Sequence, residues 1–199
     1  MTDRYKVVVF DFDGTLTMCD TLPRFIVHAI GLWRYLMALA KTSPWIIAYK
    51  LRLYSNSKAK ERLWDACFAG YSADEYATKA RQFAAITIPR ILRDETHQAL
   101  RTHVKAGSRV YIISASPSDW IRPWAETEGV AGVISTEVQR DARGCLTGKF
   151  ATPNCYGPEK ARRLLDDEPE RSAYHLTAYG DSAGDNSLMN EADETHWIK

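Results

Sequence analysis

The sequence lacks several patterns that would assign it to a class at first sight. Its four cysteines, Cys19, Cys67, Cys145 and Cys155, form no C-x-x-C pair, so we expect free thiols in a reducing compartment. The five histidines are scattered and form no ligand cluster. A net charge of only +1 provides no overall field for nucleic acid, and we expect no nucleic-acid partner.

Leader and membrane-spanning signals are also missing. Residues 1–4 lead directly into the first predicted strand without a basic-then-apolar segment, so we expect no secretory signal. The apolar stretch after Asp20 is interrupted by Arg34 and Lys41 and contains no run of 18 uncharged residues. We therefore expect no membrane-spanning helix and a cytoplasmic location.

Acidic residues are absent between Thr21 and Lys60, although the segment is rich in apolar, aromatic and basic side chains. This pattern has two interpretations. The apolar side chains can form the core of a helical domain that covers a site. Alternatively, the segment can be an interfacial helical hairpin that contacts anionic lipid. The basic residues are Arg24, Arg34, Lys41, Lys50, Arg52, Lys58 and Lys60.

The strongest positive signal lies near the beginning of the chain. Residues 7–10 are a short, β-branched apolar run, typical of a strand covered on both faces. Asp11 and Asp13 follow two residues apart, so their side chains point the same way in an extended chain, and Gly14 then allows a sharp turn. Two carboxylates at one point need a cation, and Mg²⁺ suits oxygen ligands. The alternative is that these acids cap a turn or pair with lysines.

Helical patterns fill the segment that follows, residues 21–85, which we call the cap. The cap helices are predicted at residues 22–40, at 44–54 with Pro44 in the first turn, at about 57–70 after a cap at Asn56 or Ser57, and at 73–86 after a capping box that begins at Ser72. A further helix is predicted at residues 89–107.

Beyond that helix, strands and helices alternate. Strands are predicted at residues 109–113, 174–179 and 195–198, helices at 116–128, 158–165 and 185–190, and a hairpin at 133–139 and 145–150. The alternation predicts an α/β fold with a doubly wound parallel sheet, formed by residues 1–20 and 86–199, into which the all-helical cap is inserted. Ligands bind such sheets at the carboxyl ends of the strands.

Polar side chains follow several of these strand ends, and one lysine lies in the first turn of a helix. If they converge at one edge of the sheet, they form a metal and phosphate site, since a metal ion offsets the repulsion between carboxylate and phosphate. A lysine donates to phosphoryl oxygens, and a carboxylate can attack phosphorus. The residues are Asp11, Asp13, Ser114, Lys160, Asp181 and Asp185.

These residues lie in four motifs whose order resembles that of the haloacid dehalogenase (HAD) superfamily of phosphatases. The helical cap between the first two motifs is similar to the phosphoserine-phosphatase-like branch, subfamily IB. Each motif is weak alone, but four in this order on an alternating βα background are specific. The motifs are Asp11-Phe12-Asp13-Gly14-Thr15, Ser114 after an apolar strand, Lys160, and Gly180-Asp181-Ser182-Ala183-Gly184-Asp185.

The resemblance implies a catalytic role for four residues. Asp11 would be the nucleophile and would be phosphorylated during the reaction. Asp13 would protonate the leaving alkoxide and then activate water, a step that phosphoryl transfer needs and dehalogenation does not. Ser114 would hydrogen-bond a phosphoryl oxygen, and Lys160 would balance the charge of the phosphoaspartate.

The same resemblance implies Mg²⁺ as cofactor. Asp11, the backbone carbonyl of Asp13, and Asp181 would be ligands, and Asp185 would complete the metal surroundings. The substrate would contact Lys160 together with Asp20 and Ala115. For Asp20 an equally good interpretation is a helix N-cap.

Within this branch the sequence is most similar to the bacterial phosphatidylglycerophosphatase C family. The similarity lies in Ser116-Pro117, in Val138-Gln139-Arg140 before a glycine-containing turn, and in Gly157-x-Glu159-Lys160. It implies phosphatidylglycerophosphate or a related lipid phosphate as substrate, and peripheral contact with an anionic membrane at its cytoplasmic face. The chain departs from that family's strongly apolar cap segment at Arg34 and Lys41.

Two other functions remain open from the sequence. One is a phosphatase of a small soluble phosphomonoester such as phosphoserine, which would need an arginine for the carboxylate and an acid for the ammonium group. The other is an inactive HAD-fold scaffold at a membrane surface, against which the intact acids argue. The sequence predicts no particular oligomeric state.

Overall fold

A parallel sheet forms the centre of the protein, as a computed structural model of residues 4–199 shows. Five strands are hydrogen-bonded in parallel in the order β3-β2-β1-β6-β7, and β4 pairs with β5 as a separate antiparallel hairpin. This confirms the predicted α/β fold. The expectation that no leader precedes β1 concerns residues 1–3, which lie outside the described residues. The strands are β1 (Tyr5–Phe10), β2 (Arg109–Pro117), β3 (Gly132–Thr136), β4 (Val138–Arg140), β5 (Leu146–Phe150), β6 (Tyr174–Gly180) and β7 (Glu194–Trp197).

The described residues form nine α-helices in addition to the strands. Six of them, α1–α6, lie between β1 and β2, and the first four, α1–α4, occupy the segment where the cap is predicted. The boundaries of the cap at residues 21 and 85 stay a prediction. The helices are α1 (Thr21–Ile30), α2 (Leu32–Lys50), α3 (Asn56–Phe68), α4 (Ala73–Ile86), α5 (Ile88–Ile91), α6 (Asp94–Lys105), α7 (Ser118–Glu128), α8 (Pro158–Asp167) and α9 (Asn186–Glu191).

Strand β1 lies at the middle of the sheet and is buried on both faces. Val7 and Val9 pack into one hydrophobic cluster, and Val8 and Phe10 pack into another on the opposite face. Successive side chains of a strand point to opposite faces of the sheet, so a strand with helices on both faces buries apolar side chains on each of them. The central position of β1 brings Asp11, its next residue, to the middle of the carboxyl edge.

The cap and the sheet domain share an aromatic core. Phe25 of α1 is fully buried, and its ring stacks on that of Trp120 of α7 with centroids 4.2 Å apart. The rings of Tyr76 and Phe83, both on α4, meet Phe25 edge-on at 5.4 and 5.5 Å. Such contacts add to the free energy of simple apolar burial, so Phe25 ties the first cap helix to the core.

The predicted break at Pro44 is wrong, because α2 continues through it. The helix begins after Gly31, whose φ of 84° interrupts the helix instead. Pro44 has no N–H for the carbonyl of Ala40, but the Ser43 hydroxyl donates to that carbonyl at 2.9 Å. No helix within residues 4–199 is both long and apolar enough to cross a membrane.

The single helix predicted at residues 89–107 is in fact two helices, α5 and α6, because the backbone between them pairs with the loop after β1. The N–H of Arg93 donates to the carbonyl of Leu16 at 2.8 Å, and Leu92 forms a bridge with Thr17. These long-range hydrogen bonds replace helical ones. The second connection between cap and core is therefore fixed to the loop that follows β1.

The predicted hairpin strand at residues 133–139 is also wrong in part. Its first half is β3, which pairs with β2 in the main sheet, and only β4 pairs with β5. The chain leaves the sheet at Glu137, whose N–H donates to the Thr152 hydroxyl at 3.0 Å. In addition, α3 is capped by Ser55 rather than by Asn56 or Ser57, since the Ser55 side chain accepts from the N–H of Lys58.

We expect Phe25→Ala to lower the free energy of unfolding by about 3–5 kcal/mol, since a large buried ring is lost and the site cannot fully collapse. Chemical denaturation of the purified protein measures this. The matched control is Leu36→Ala at an exposed position of α2, which should change stability by less than about 0.5 kcal/mol. Equal effects of the two substitutions would contradict the shared core.

Candidate active site

The carboxyl edge of the sheet holds a buried cluster of charges. The Lys160 ammonium lies 2.5 Å from Asp11 Oδ1 and 2.6 Å from Asp185 Oδ1, and all three side chains are almost completely buried. Asp11 follows β1, while Lys160 stands in the first turn of α8, directly after Gly157 and Pro158. The structure thus brings together residues that are up to 174 positions apart and that the sequence assigns to one site.

These contacts shift the pKa values of the group. Burial raises the pKa of Asp11 to about 7, and repulsion from Asp185 adds to the rise while Lys160 opposes it. For Lys160, burial alone would lower the pKa, but the ion pairs with Asp11 and Asp185 outweigh it and raise the pKa. The lysine therefore keeps its charge, and the site favours any further cation that lowers the cost of an ionised Asp11.

Asp185 orients the turn that carries Asp181. Its Oδ2 accepts hydrogen bonds from the N–H of Asp181 at 3.2 Å and from the N–H and hydroxyl of Ser182 at 3.1 and 3.3 Å. Its Oδ1 accepts from Lys160. Both oxygens therefore already have protein donors, which suits a residue that positions Lys160 and the Asp181 turn.

An oxygen-ligand cluster suited to a metal ion lies beside this turn. One carboxylate oxygen from each of Asp11, Asp181 and Asp185 falls within 4.8 Å of the others. Gly14 has a φ of 85°, and a Cβ at that position would overlap the Asp181 carboxylate. Only glycine permits this close approach, so Gly14 allows the Asp181 carboxylate to pack directly against the backbone of the loop after β1. The donor set is all oxygen, which fits Mg²⁺.

Asp13 is held by two donors from different parts of the chain. The N–H of Thr21, the first residue of α1, donates to Asp13 Oδ1 at 2.6 Å. The hydroxyl of Ser116 donates to Oδ2, also at 2.6 Å. The carboxylate is thus fixed between the beginning of the cap and the end of β2, and the α1 N-terminus favours its negative charge.

Ser114 lies beside Asp13, and the backbone carbonyl of the next residue, Ala115, faces Thr136 and Lys60; their contact with a phosphoryl group stays a prediction. The Ser114 hydroxyl is 3.4 Å from Asp13 Oδ2 and accepts from the N–H of Ser116 at 3.0 Å. The Ala115 carbonyl accepts from the Thr136 hydroxyl at 2.8 Å and from the Lys60 ammonium.

Asp20 is an N-cap, and it also lies near the site. Its side chain accepts from the N–H of Leu22 at 3.0 Å, as the cap interpretation predicts. The pKa of Asp20 is raised, first by desolvation and then by the Asp13 carboxylate, while Lys60 acts in the opposite direction. The N-cap interpretation is therefore confirmed, and the contact of Asp20 with substrate stays a prediction.

Lys60 is a site residue that the sequence analysis missed. It lies on α3, and its ammonium reaches the Ala115 carbonyl and the side-chain oxygen of Asn154, the latter at 3.1 Å. Burial lowers the pKa of Lys60 to about 8, although Asp13 and Asp20 act in the opposite direction. The cap thus contributes a cation close to Asp13 and Asp20.

A signal for Lys60 was present in the sequence. Most apolar side chains of α3, at residues 59, 63, 64, 67 and 68, recur three to five positions apart and are buried or half-buried, and Lys60 falls into the same helical spacing. Lys60 therefore stands on the apolar inner face of the helix. A lysine there must reach a polar partner. Ser116 carried no comparable signal, because the segment between Ser114 and α7 reads as the start of a helix.

The chain is similar to known proteins over most of its length. The family of haloacid dehalogenase-like hydrolases matches residues 8–190 of the chain. Protein CicA of Caulobacter vibrioides (strain NA1000 / CB15N) is 31% identical over 189 residues, covering 94% of this chain and 83% of that protein.

Solved structures support the same fold. A Bordetella pertussis Tohama I protein of unknown function has a TM-score of 0.76 at 20% identity, covering 97% of this chain and 89% of that one. A phospho-aspartyl intermediate analogue of phosphoserine phosphatase has a TM-score of 0.67 at 14% identity, with 97% and 86% covered. At these identities the likeness concerns the fold alone.

We expect Mg²⁺ to raise the melting temperature by about 2–4 °C at roughly ten times its Kd, because it binds only the folded site. The substitution Asp181→Asn should remove this shift, since it weakens one oxygen ligand. Thermal unfolding with and without Mg²⁺ measures it, and Asp166→Asn, at an exposed acid of α8, is the control. A shift that persists in Asp181→Asn would count against the assigned ligands.

Proposed function

Because this chain belongs to the haloacid dehalogenase-like hydrolases, we propose that it is a Mg²⁺-dependent phosphomonoesterase that works through a phosphoaspartate on Asp11. The observation that carries the proposal is the buried Lys160 between Asp11 and Asp185, next to an oxygen-only ligand cluster. Asp11, Asp181 and the Asp13 carbonyl would hold the ion, with Asp185 supporting them. When bound, Mg²⁺ offsets the repulsion between the carboxylates and the phosphate dianion.

Asp11 acts as the nucleophile in the first step. One of its carboxylate oxygens attacks phosphorus, a P–O bond to Asp11 forms, and the ester P–O bond breaks. The Thr15 hydroxyl, 3.4 Å from Oδ2, and Lys160 at Oδ1 keep the carboxylate in one orientation. Lys160 then neutralises charge on the transferred phosphoryl group, and the Ser114 hydroxyl donates to one of its oxygens.

Asp13 moves the protons of both steps. It donates a proton to the leaving alkoxide and then, as a carboxylate, accepts one from the water that attacks the phosphoaspartate. The hydrogen bonds from Thr21 and Ser116 hold its carboxylate in one orientation for these transfers. The products are an alcohol and inorganic phosphate.

The charges beyond Asp13 favour a small soluble phosphomonoester with an amino-acid-like end. Lys60 offers an ammonium for a carboxylate, and Asp20 offers a carboxylate for an ammonium group. Phosphoserine carries both groups. The arginine that such a pocket would need is then replaced by Lys60.

A lipid phosphate such as phosphatidylglycerophosphate is the second candidate substrate. The observation in its favour is the exposed apolar and basic surface of α2. An assay panel that compares phosphatidylglycerophosphate in mixed micelles with phosphoserine and other soluble phosphomonoesters separates the two candidates by kcat/KM.

We expect the purified protein to hydrolyse a generic aryl phosphate only with Mg²⁺, and EDTA to abolish this activity. Asp11→Asn should lower kcat/KM by at least about 1,000-fold, because an amide cannot replace the nucleophile. Asp166→Asn is the control of equal charge change. Unchanged hydrolysis in chelator or in Asp11→Asn would defeat the mechanism, and absence of hydrolysis from every phosphomonoester tested would support the scaffold alternative.

Ser116→Ala should lower kcat/KM for an alkyl phosphate by about 10–100-fold, the value of one hydrogen bond to a charged group. An aryl phosphate with a good leaving group needs little proton donation, so its kcat/KM should change much less. Ser118→Ala, which removes a hydroxyl bonded to Glu137 at 2.7 Å, is the control. Equal losses for both esters would indicate a structural role for Ser116 instead.

A further inference from the structure

The outward side of α2 is apolar along its whole length, and the proposed site does not use it. On a helix with 3.6 residues per turn, eight apolar positions of α2 and its C-cap share one face. All eight side chains are exposed, with Trp33 73% exposed and Met37 59%. These residues, the α2 outer face, are Leu32, Trp33, Leu36, Met37, Ala40, Pro44, Ile47 and Leu51.

The inner side of α2 already supplies the packing that the cap needs. Ala38 and Thr42 are buried there, and Tyr35 packs against the main hydrophobic cluster. Packing within the cap therefore accounts for the apolar residues on the inner side of α2, but it does not account for those on the outer side. No part of the chain that the structure describes covers the outer face, and a continuous exposed apolar strip of this length is uncommon on a protein that binds nothing there.

Basic side chains flank the strip. Arg34 and Lys41 are exposed along one flank of the helix, and Lys50 is exposed on the other, followed by Arg52. No acidic residue occurs from Thr21 to Lys60. This surface matches an anionic bilayer, because the apolar strip can contact the hydrocarbon and the basic side chains on its flanks can contact the anionic headgroups.

The length of α2 fits a helix that lies flat on such a surface. Its 19 residues extend about 29 Å at 1.5 Å per residue. Arg34 and Lys41 interrupt the apolar sequence, but their long side chains can reach the headgroups when the helix axis is parallel to the bilayer. A flat orientation therefore keeps every charge in the polar layer.

We propose that the α2 outer face docks this protein on an anionic phospholipid bilayer. A second copy of the chain is a less favourable partner for this face. A two-fold contact along the strip would bring Arg34 and Lys41 of both copies together, and the segment has no acidic side chain to offset their charges. The inference does not depend on the proposed phosphatase activity, since it concerns a surface outside the site and its test requires no substrate.

Co-sedimentation of the full chain with vesicles tests the proposal. We expect binding to phosphatidylcholine vesicles that contain phosphatidylglycerol, weak binding to pure phosphatidylcholine, and release at high salt. The double substitution Leu36→Ser with Met37→Ser should abolish binding. Lys41→Glu should weaken it about tenfold or more. The controls Ile86→Ser, at an exposed apolar position of α4, and Lys105→Glu, at an exposed base of α6, should bind like the unaltered protein.

Tryptophan fluorescence identifies the surface that touches the lipid. Brominated phosphatidylglycerol should quench Trp33, and Trp33→Phe should remove most of the quenching while co-sedimentation remains. Absence of vesicle binding at low salt would overturn the proposal, as would undiminished binding of the Leu36/Met37 double variant. A dimer in light scattering that the double variant converts to a monomer, without vesicle binding, would instead assign the face to a second copy.

Discussion

The buried ion pairs of Lys160 with Asp11 and Asp185 are the interaction on which the rest of the site depends. A carboxylate removed from water costs several kcal/mol unless a cation lies beside it. Here one ammonium faces two buried carboxylates, and Asp181 adds a third negative group at the edge. The remaining negative charge explains the fit to a metal ion, and it adds to the rise that burial causes in the pKa of Asp11.

Glycines allow the carboxylates of this cluster to pack close to the backbone. Gly14 admits the Asp181 carboxylate, and a Cβ at Gly180 would lie 2.7 Å from the Asp185 Cγ. Two of the four motifs therefore contain glycine because acids must pack against the main chain. In the same way, Gly157 adopts a φ of 61° directly before α8 and so directs the first turn, with Lys160, at the strand ends.

The parts of this protein that follow from local chemistry could be predicted from the sequence. Apolar runs that end in Asp11, Ser114 and Asp181 indicated parallel strands with a common polar edge. What failed depended on distant partners. The helix break near Arg93 arises from a hydrogen bond to Leu16, and the continuity of α2 arises from a serine that satisfies the carbonyl left unpaired by Pro44.

The missed site residues have the same explanation. Ser116 appeared to begin a helix, and only the fold brings its hydroxyl to Asp13, 103 positions away. Lys60 was counted among the bases of an apolar segment, although its helical position on an inner face distinguished it from the others. A single sequence shows local patterns, but it does not show the tertiary contacts that override them at a given backbone segment or side chain.

The hydrogen bond from the Thr21 amide to Asp13 couples the two halves of the molecule. Thr21 is the first residue of the cap, and the other junction, at Arg93, is bonded to the same loop that follows β1. Any movement of α1 away from the sheet would lengthen this 2.6 Å bond and remove one of the two short hydrogen bonds that orient the Asp13 carboxylate. If Asp13 carries the protons as proposed, the helix that begins the cap would also determine whether the carboxylate is aligned to do so.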